Sequence, residues 1–119
     1  MEFVKLGMVE SRFAEIVWGN EPITTKELVA KCAEELNWKR TTTYTVLKKL
    51  CEKGIFQNEG GQVTSLISRE EFYAAQSEEF VNETFSGSLP AFVAAFSHKK
   101  KLSEDEIAAL EQIIADMRK

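Results

Sequence analysis

The chain has 119 residues, 44% of them hydrophobic, and a formal net charge of -4. That length suits one compact domain or a small domain with an appendage, and that apolar content excludes global disorder. No apolar run approaches the ~18 residues of a membrane span, the N-terminus lacks a signal-like apolar region, and two cysteines are too few for a disulfide framework. A cytoplasmic chain without membrane insertion is expected, with Cys32 and Cys51 as reduced core thiols.

A first helix is predicted over about Met8 to Trp18, where Val9, Phe13, Ile16 and Val17 form an apolar stripe. Gly19-Asn20 should end it, and Glu21-Pro22 keeps the next stretch extended. A second helix is signalled at Thr24, which forms a capping-box pattern with Glu27. Leu28, Val29, Cys32 and Leu36 supply its buried face, and Asn37-Trp38 breaks the pattern.

The third helix lies in "WKRTTTYTVLKKLCEKG", Trp38 to Gly54. At 100° per residue, Thr43, Val46, Leu47, Leu50 and Cys51 share one side. Thr41, Thr42, Thr45, Lys48, Lys49 and Glu52 share the other, with Tyr44 at the boundary. Gly54 is a good residue to stop it. From Lys39 to Lys53 five cations (Lys39, Arg40, Lys48, Lys49, Lys53) stand against one anion, Glu52, a local balance of +4 in an acidic chain. The next stretch, "IFQNEGGQVTSLI" (residues 55–67), carries a tight-turn signal at Glu59-Gly60-Gly61 between two strand-forming runs, so a β-hairpin is predicted. Three helices and then a hairpin is the element order of a winged helix-turn-helix.

The remainder should be helical. Ser68 with Glu71 repeats the capping box before Phe72, Tyr73, Ala75, Phe80, Val81 and Phe85. "SGSLPAF" interrupts, Leu89, Phe92, Val93 and Phe96 suggest a short helix, and Ser103 with Glu106 caps a last one carrying Ile107, Leu110, Ile113, Ile114 and Met117. The expected class is mostly α with a small hairpin: a winged-helix domain over 1–67 and a helical domain over 68–119. The second part is rich in large apolar residues with little of its own to bury them against, which points to an interface, most simply a homodimer, rather than to packing back on the first domain.

The charge is divided as the domains are. Residues 1–67 hold nine Lys/Arg and nine Asp/Glu, and residues 68–119 hold six and ten. A polyanion would therefore meet the first part, at 39–53. A helix fits a DNA major groove with its N-terminal residues at base edges. Threonines there allow close approach, and lysines further along neutralise phosphates. A solvated cationic face is the plainer account of the same residues. No enzyme is expected. The single histidine, His98, sits in a polar "SHKKK" stretch, and no phosphate loop, nucleophile elbow or HExxH is present. No metal site or cofactor is expected. The runs Glu70-Glu71, Glu78-Glu79 and Glu104-Asp105-Glu106 suit solvated faces and helix starts.

The quoted third-helix stretch, the hairpin after it, "SREEF" and "GSLPAFVAAF" together resemble the penicillinase/methicillinase repressor family (BlaI/MecI/CopY), over about Leu6 to Met117. The resemblance implies a dimeric winged-helix transcriptional repressor that reads an inverted-repeat operator in double-stranded DNA. By position its recognition helix falls on Lys39 to Lys53, and its interlocking dimer helices fall on Ser68 to Met117. The expected DNA-binding residues are thus Lys39, Arg40, Thr41, Thr42, Tyr44, Thr45, Lys48 and Lys49. The expected dimer residues are Phe80, Phe85, Leu89, Phe92, Phe96, Ile107, Leu110 and Ile114. The antibiotic-response members also imply a membrane sensor-protease as partner and a cleavage bond, here Ala95–Phe96. Three features depart from the family pattern. The hairpin carries no cation, Ala95 stands where the best-known members have Asn, and no cysteine follows Cys51, unlike copper-responsive members. Two other functions are open: a winged-helix protein-interaction module that does not bind DNA, and a metal-sensing regulator.

Overall fold

The computed structural model describes residues 5–119. It is mostly α-helical with a small three-stranded antiparallel sheet. The chain divides into two compact units, one running to Ser77 and one over Glu78–Lys119.

In the first unit, α1 (Met8–Asn20) runs past the expected end at Trp18. Gly19 and Asn20 stay helical, the Asn20 side-chain amide donating to the Ile16 carbonyl at 2.7 Å. The helix stops at Glu21, whose φ of -70° and ψ of 147° are the extended backbone required ahead of Pro22. The buried stripe is Phe13, Ala14, Ile16, Val17 and Trp18. Val9, expected in it, is exposed in the first turn, before the stripe meets the core. Helix α2 (Thr25–Leu36) begins with the expected cap: the Glu27 N–H donates to Thr24 Oγ1 at 3.1 Å. It ends at Asn37 in the left-handed region, φ 56°. Helix α3 (Arg40–Glu52) buries Thr43, Leu47 and Leu50.

A strand that local pattern did not announce, β1 (Ile23–Thr24), precedes α2. It pairs with the second arm of the hairpin formed by β2 (Phe56–Glu59) and β3 (Gln62–Ser65), giving the order β1-β3-β2. Ile23 faces Val63 and Asn58 faces Val63 from the other side. Gly60 and Gly61 have φ of 60° and 85°, the two left-handed residues that a tight hairpin turn demands. The core is aromatic. The Phe13 ring lies 5.7 Å from Trp38 and 6.4 Å from Phe56, and Trp18 lies 5.6 Å from Phe56.

Helix α4 (Arg69–Phe85) begins in the first unit and ends in the second. Its N-cap is the expected Ser68, whose Oγ accepts from the Glu71 N–H at 3.1 Å. Phe72 and Tyr73 pack on Trp18 at 5.7 and 5.9 Å, and Trp18 Nε1–H donates to the Ile67 carbonyl at 3.1 Å. Glu15 of α1 receives the Arg69 guanidinium at 2.9 Å and the Tyr73 hydroxyl at 2.7 Å. These contacts carry the packing of the first unit into the first turns of α4, past the 67/68 position expected from element order, and that unit runs to Ser77.

In the second unit, Ser86 and Gly87 have φ of 52° and 81° and end α4. Two helices follow, α5 (Leu89–Lys99) and α6 (Glu104–Met117). Ser88 caps α5 by accepting from the Ala91 N–H, and Ser103 caps α6 by accepting from the Glu106 N–H, both at 3.1 Å. Phe80, Phe85 and Phe92 form a small ring cluster with centroids 5.6–6.0 Å apart. Yet neither α5 nor α6 has a buried residue. No described helix is long and apolar enough to cross a membrane.

Candidate nucleic-acid interface

The buried threonine and leucines of α3 turn its opposite face outward. Lys39, Arg40, Thr41, Thr42, Tyr44, Thr45, Lys48 and Lys49 are all exposed there. Thr43, the one threonine that helical spacing assigns to the inner face, is the buried one, its hydroxyl donating to the Lys39 carbonyl at 3.3 Å. The outer face therefore carries its threonines, together with Arg40 and Tyr44, in its N-terminal half, and Lys48 and Lys49 toward its C-terminal end.

Helix α3 starts differently from its neighbours. Its N-cap is Lys39, which makes no side-chain capping bond, and its first turn has no acid. The first-turn N–H groups and the positive end of the helix dipole are thus left to solvent or to an anion. The three outer threonines also differ. Thr45 Oγ1 donates to the Thr41 carbonyl at 2.8 Å, committing its proton to the helix. Among the described residues the Thr41 and Thr42 hydroxyls have no such bond. Arg40 lies 5.6 Å over the Tyr44 ring, a cation–π contact that orders the guanidinium at the helix start. The Tyr44 phenol is held below its ordinary range, first by the Thr25 hydroxyl and then by Arg40. Thr25 also donates its backbone N–H to the Gly61 carbonyl at 2.8 Å, which ties the start of α2 to the hairpin turn.

The two central lysines are not equivalent. Lys49 Nζ sits 3.1 Å from Glu10 Oε2 of α1, and Lys53 Nζ sits 3.8 Å from the same oxygen. No described residue forms an ion pair with Lys48 or Lys39. Glu10 is ionised below the usual carboxylate range, held there first by the Gly7 N–H and then, against the effect of burial, by Lys49 and Lys53. Sequence reading missed Glu10: its pairing spans α1 to α3 and leaves no local signature.

The hairpin turn places Asn58, Glu59, Gly60 and Gln62 in solvent. It presents no cation. Burial pushes up the thiols of Cys32 and Cys51, so both are protonated. Among the described residues no group of His, Cys, Asp and Glu could hold a metal ion.

The second candidate surface lies in the second unit. Leu89, Phe96 and Ile114 are 56%, 45% and 54% exposed, and Phe80, Ile107 and Leu110 are exposed as well. Phe85 and Phe92 are half-buried. A groove of about 360 Å³ is lined by Phe92, Val93, Phe96, Leu102, Glu106, Ala109 and Leu110. Ala95 and Phe96 lie within α5, where the Phe96 carbonyl accepts from the Lys100 N–H at 3.0 Å.

The sequence model of the penicillinase repressor family matches residues 6–116. The chain is 27% identical over 111 residues to the penicillinase repressor of Bacillus licheniformis, an alignment covering 90% of this chain and 87% of that protein. It is 25% identical over 114 residues to the methicillin resistance regulatory protein MecI of Staphylococcus aureus strain Mu50, covering 92% and 93%. A penicillinase repressor of Staphylococcus aureus is 22% identical over 120 residues, covering 98% and 95%.

Proposed function

The chain belongs to the penicillinase repressor family, and on that premise we propose that it is a dimeric transcriptional repressor whose α3 reads one half-site of an inverted-repeat operator. DNA-binding regulation of transcription comes with the family. The observation that carries the finer statement is the outer face of α3, where Thr41, Thr42 and Thr45 precede Lys48 on a helix whose start is uncapped. Small residues let the helix approach base edges, and the cation behind them meets a phosphate.

The homodimer rests on the second unit. Two helices without a buried residue expose an apolar face that a second copy would cover. The same reading extends to a membrane sensor-protease system that ends repression by triggering a cut between Ala95 and Phe96. Its test is a fragment ending at Ala95 in cells exposed to a cell-wall antibiotic.

The deciding experiment is a gel shift of the full chain on DNA upstream of its own gene, at stated salt. Retarded DNA that competes with an unrelated duplex only at large excess, and a weaker shift with Lys48→Ala, are expected. No shift from a folded chain overturns the proposal in favour of a protein-interaction module, the function that a hairpin turn without cations would suit.

A further inference from the structure

Glu10 occupies an unusual place for a surface-helix carboxylate. Its Oε1 accepts from the Gly7 N–H at 3.1 Å, closing the start of α1. Its Oε2 is shut off from solvent and faces the Lys49 and Lys53 ammoniums at 3.1 and 3.8 Å. The Glu10 side chain is 18% exposed and that of Lys49 is 56% exposed. One carboxylate thus fastens the beginning of α1 to Lys49 in the last turn of α3 and to Lys53, the residue that ends it. It draws both ammoniums toward α1 and lowers the local balance around 39–53 from +4 to +3.

We propose that Glu10 is a positioning residue that sets how much of the α3 charge is available to DNA phosphates, leaving Lys48 as a full contact and Lys49 as a compensated one. The inference rests on α3 being the DNA-binding helix. A phosphate beside Lys49 meets an ammonium whose charge is already shared with Glu10, so its attraction is weaker and the carboxylate behind repels it. Lys48 has no such partner among the described residues. The carboxylate therefore limits sequence-independent affinity and leaves the threonines at the helix start a larger share of the discrimination.

The test uses the full chain and a random-sequence duplex, with affinity measured against salt for the unmodified protein and for Lys48→Gln, Lys49→Gln, Glu10→Gln and Glu10→Gln/Lys49→Gln. Glu10→Gln keeps an oxygen for the Gly7 N–H and removes only charge. It should steepen the salt slope and raise affinity, by up to about eightfold at about 0.1 M salt if one further phosphate is neutralised. Lys48→Gln should lose about 0.9 of slope for each phosphate it neutralises. Lys49→Gln should lose less than that alone and as much as Lys48→Gln once Glu10 is Gln. A merely structural role for Glu10 would lower affinity without steepening the slope. Equal losses for Lys48→Gln and Lys49→Gln in the presence of Glu10 overturn the inference, and this comparison holds even if Glu10→Gln fails to fold. A folded chain without salt-dependent DNA binding overturns the parent proposal, and this one falls with it. Binding that depends on Lys48 but is indifferent to Glu10 overturns this one alone.

Discussion

Cutting the chain after Ile67 and cutting it after Ser77 should give fragments of very different stability. The shorter cut follows the end of the hairpin; the longer follows the boundary of packing. Only the longer keeps Phe72, which is 3% exposed, and Tyr73, both against Trp18. Burying Phe72 is worth about 1.5–3 kcal/mol, and its ring contact with Trp18 about 0.5–1.5 kcal/mol more. The Glu15 pairing with Arg69 and Tyr73 is partly exposed and adds little. The shorter fragment should therefore be less stable by about 2–4.5 kcal/mol. A domain of this size has only about 4–12 kcal/mol to lose. At about 4–8 °C per kcal/mol, its thermal midpoint should fall by at least about 8 °C. Urea titration followed by tryptophan fluorescence and by circular dichroism would measure both fragments. Equal midpoints would show that the first turns of α4 are passengers on the winged-helix unit, refuting the boundary after Ser77.

Other outcomes follow from the same geometry. Thr41→Ala and Thr42→Ala should shift preference between operator variants by about 1–3 kcal/mol per base contact. Thr45→Val should shift it less, since its hydroxyl proton is already given to Thr41; a competition assay in which Thr45→Val matters most contradicts this. Ile114→Glu, at an exposed position, should leave each protomer folded but remove two apolar contacts per symmetric dimer. At about 1.5–3 kcal/mol each, dimer affinity should fall at least about 100-fold, and a dimer surviving at micromolar concentration in sedimentation would count against α6 as an interface. The depressed folded-state pKa of Glu10 contributes stability that is complete above its ordinary value of 4.5 and lost as pH falls through the lower folded value. Acid unfolding should accordingly show a shallower limb in Glu10→Gln; identical limbs would mean that its pairing adds nothing.

What was legible in the sequence had local causes. The Thr24–Glu27, Ser68–Glu71 and Ser103–Glu106 caps lie three residues apart and formed as read. So did the Gly60-Gly61 turn, whose backbone needs are local. The two faces of α3 followed from helical periodicity. The misses are long-range. A two-residue strand such as β1 has no alternation to detect and exists only because β3 is there to pair with it. Phe72 looked like the start of a dimerisation helix because nothing nearby in the chain says that Trp18 needs a cover. Glu10 went unread because its partners, Lys49 and Lys53, are about forty residues away. The end of α1 was misplaced for the opposite reason: Gly19-Asn20 is a strong local stop signal, but the stop is enforced two residues later, by Pro22 acting on Glu21.

The state of α5 bears on how repression could end. A protease binds extended backbone, and the Ala95–Phe96 bond lies in a helix whose Phe96 carbonyl is hydrogen-bonded to Lys100. Cutting it requires α5 to unwind from its C-terminal end. In a single protomer that opening exposes little that was not exposed already, because α5 and α6 bury no residue. Opening free energy in such a segment is low. In the proposed dimer the same opening would strip Phe96 and its neighbours from a second copy, at about 1.5–3 kcal/mol for each buried side chain. Resistance of this bond would then be a property of the dimer, and a cut, once made, would separate α6 from the first part of α5. The lost face of α6 would weaken the dimer, and a weaker dimer would leave each winged-helix unit to find its half-site alone, which lowers operator affinity without altering any residue on α3.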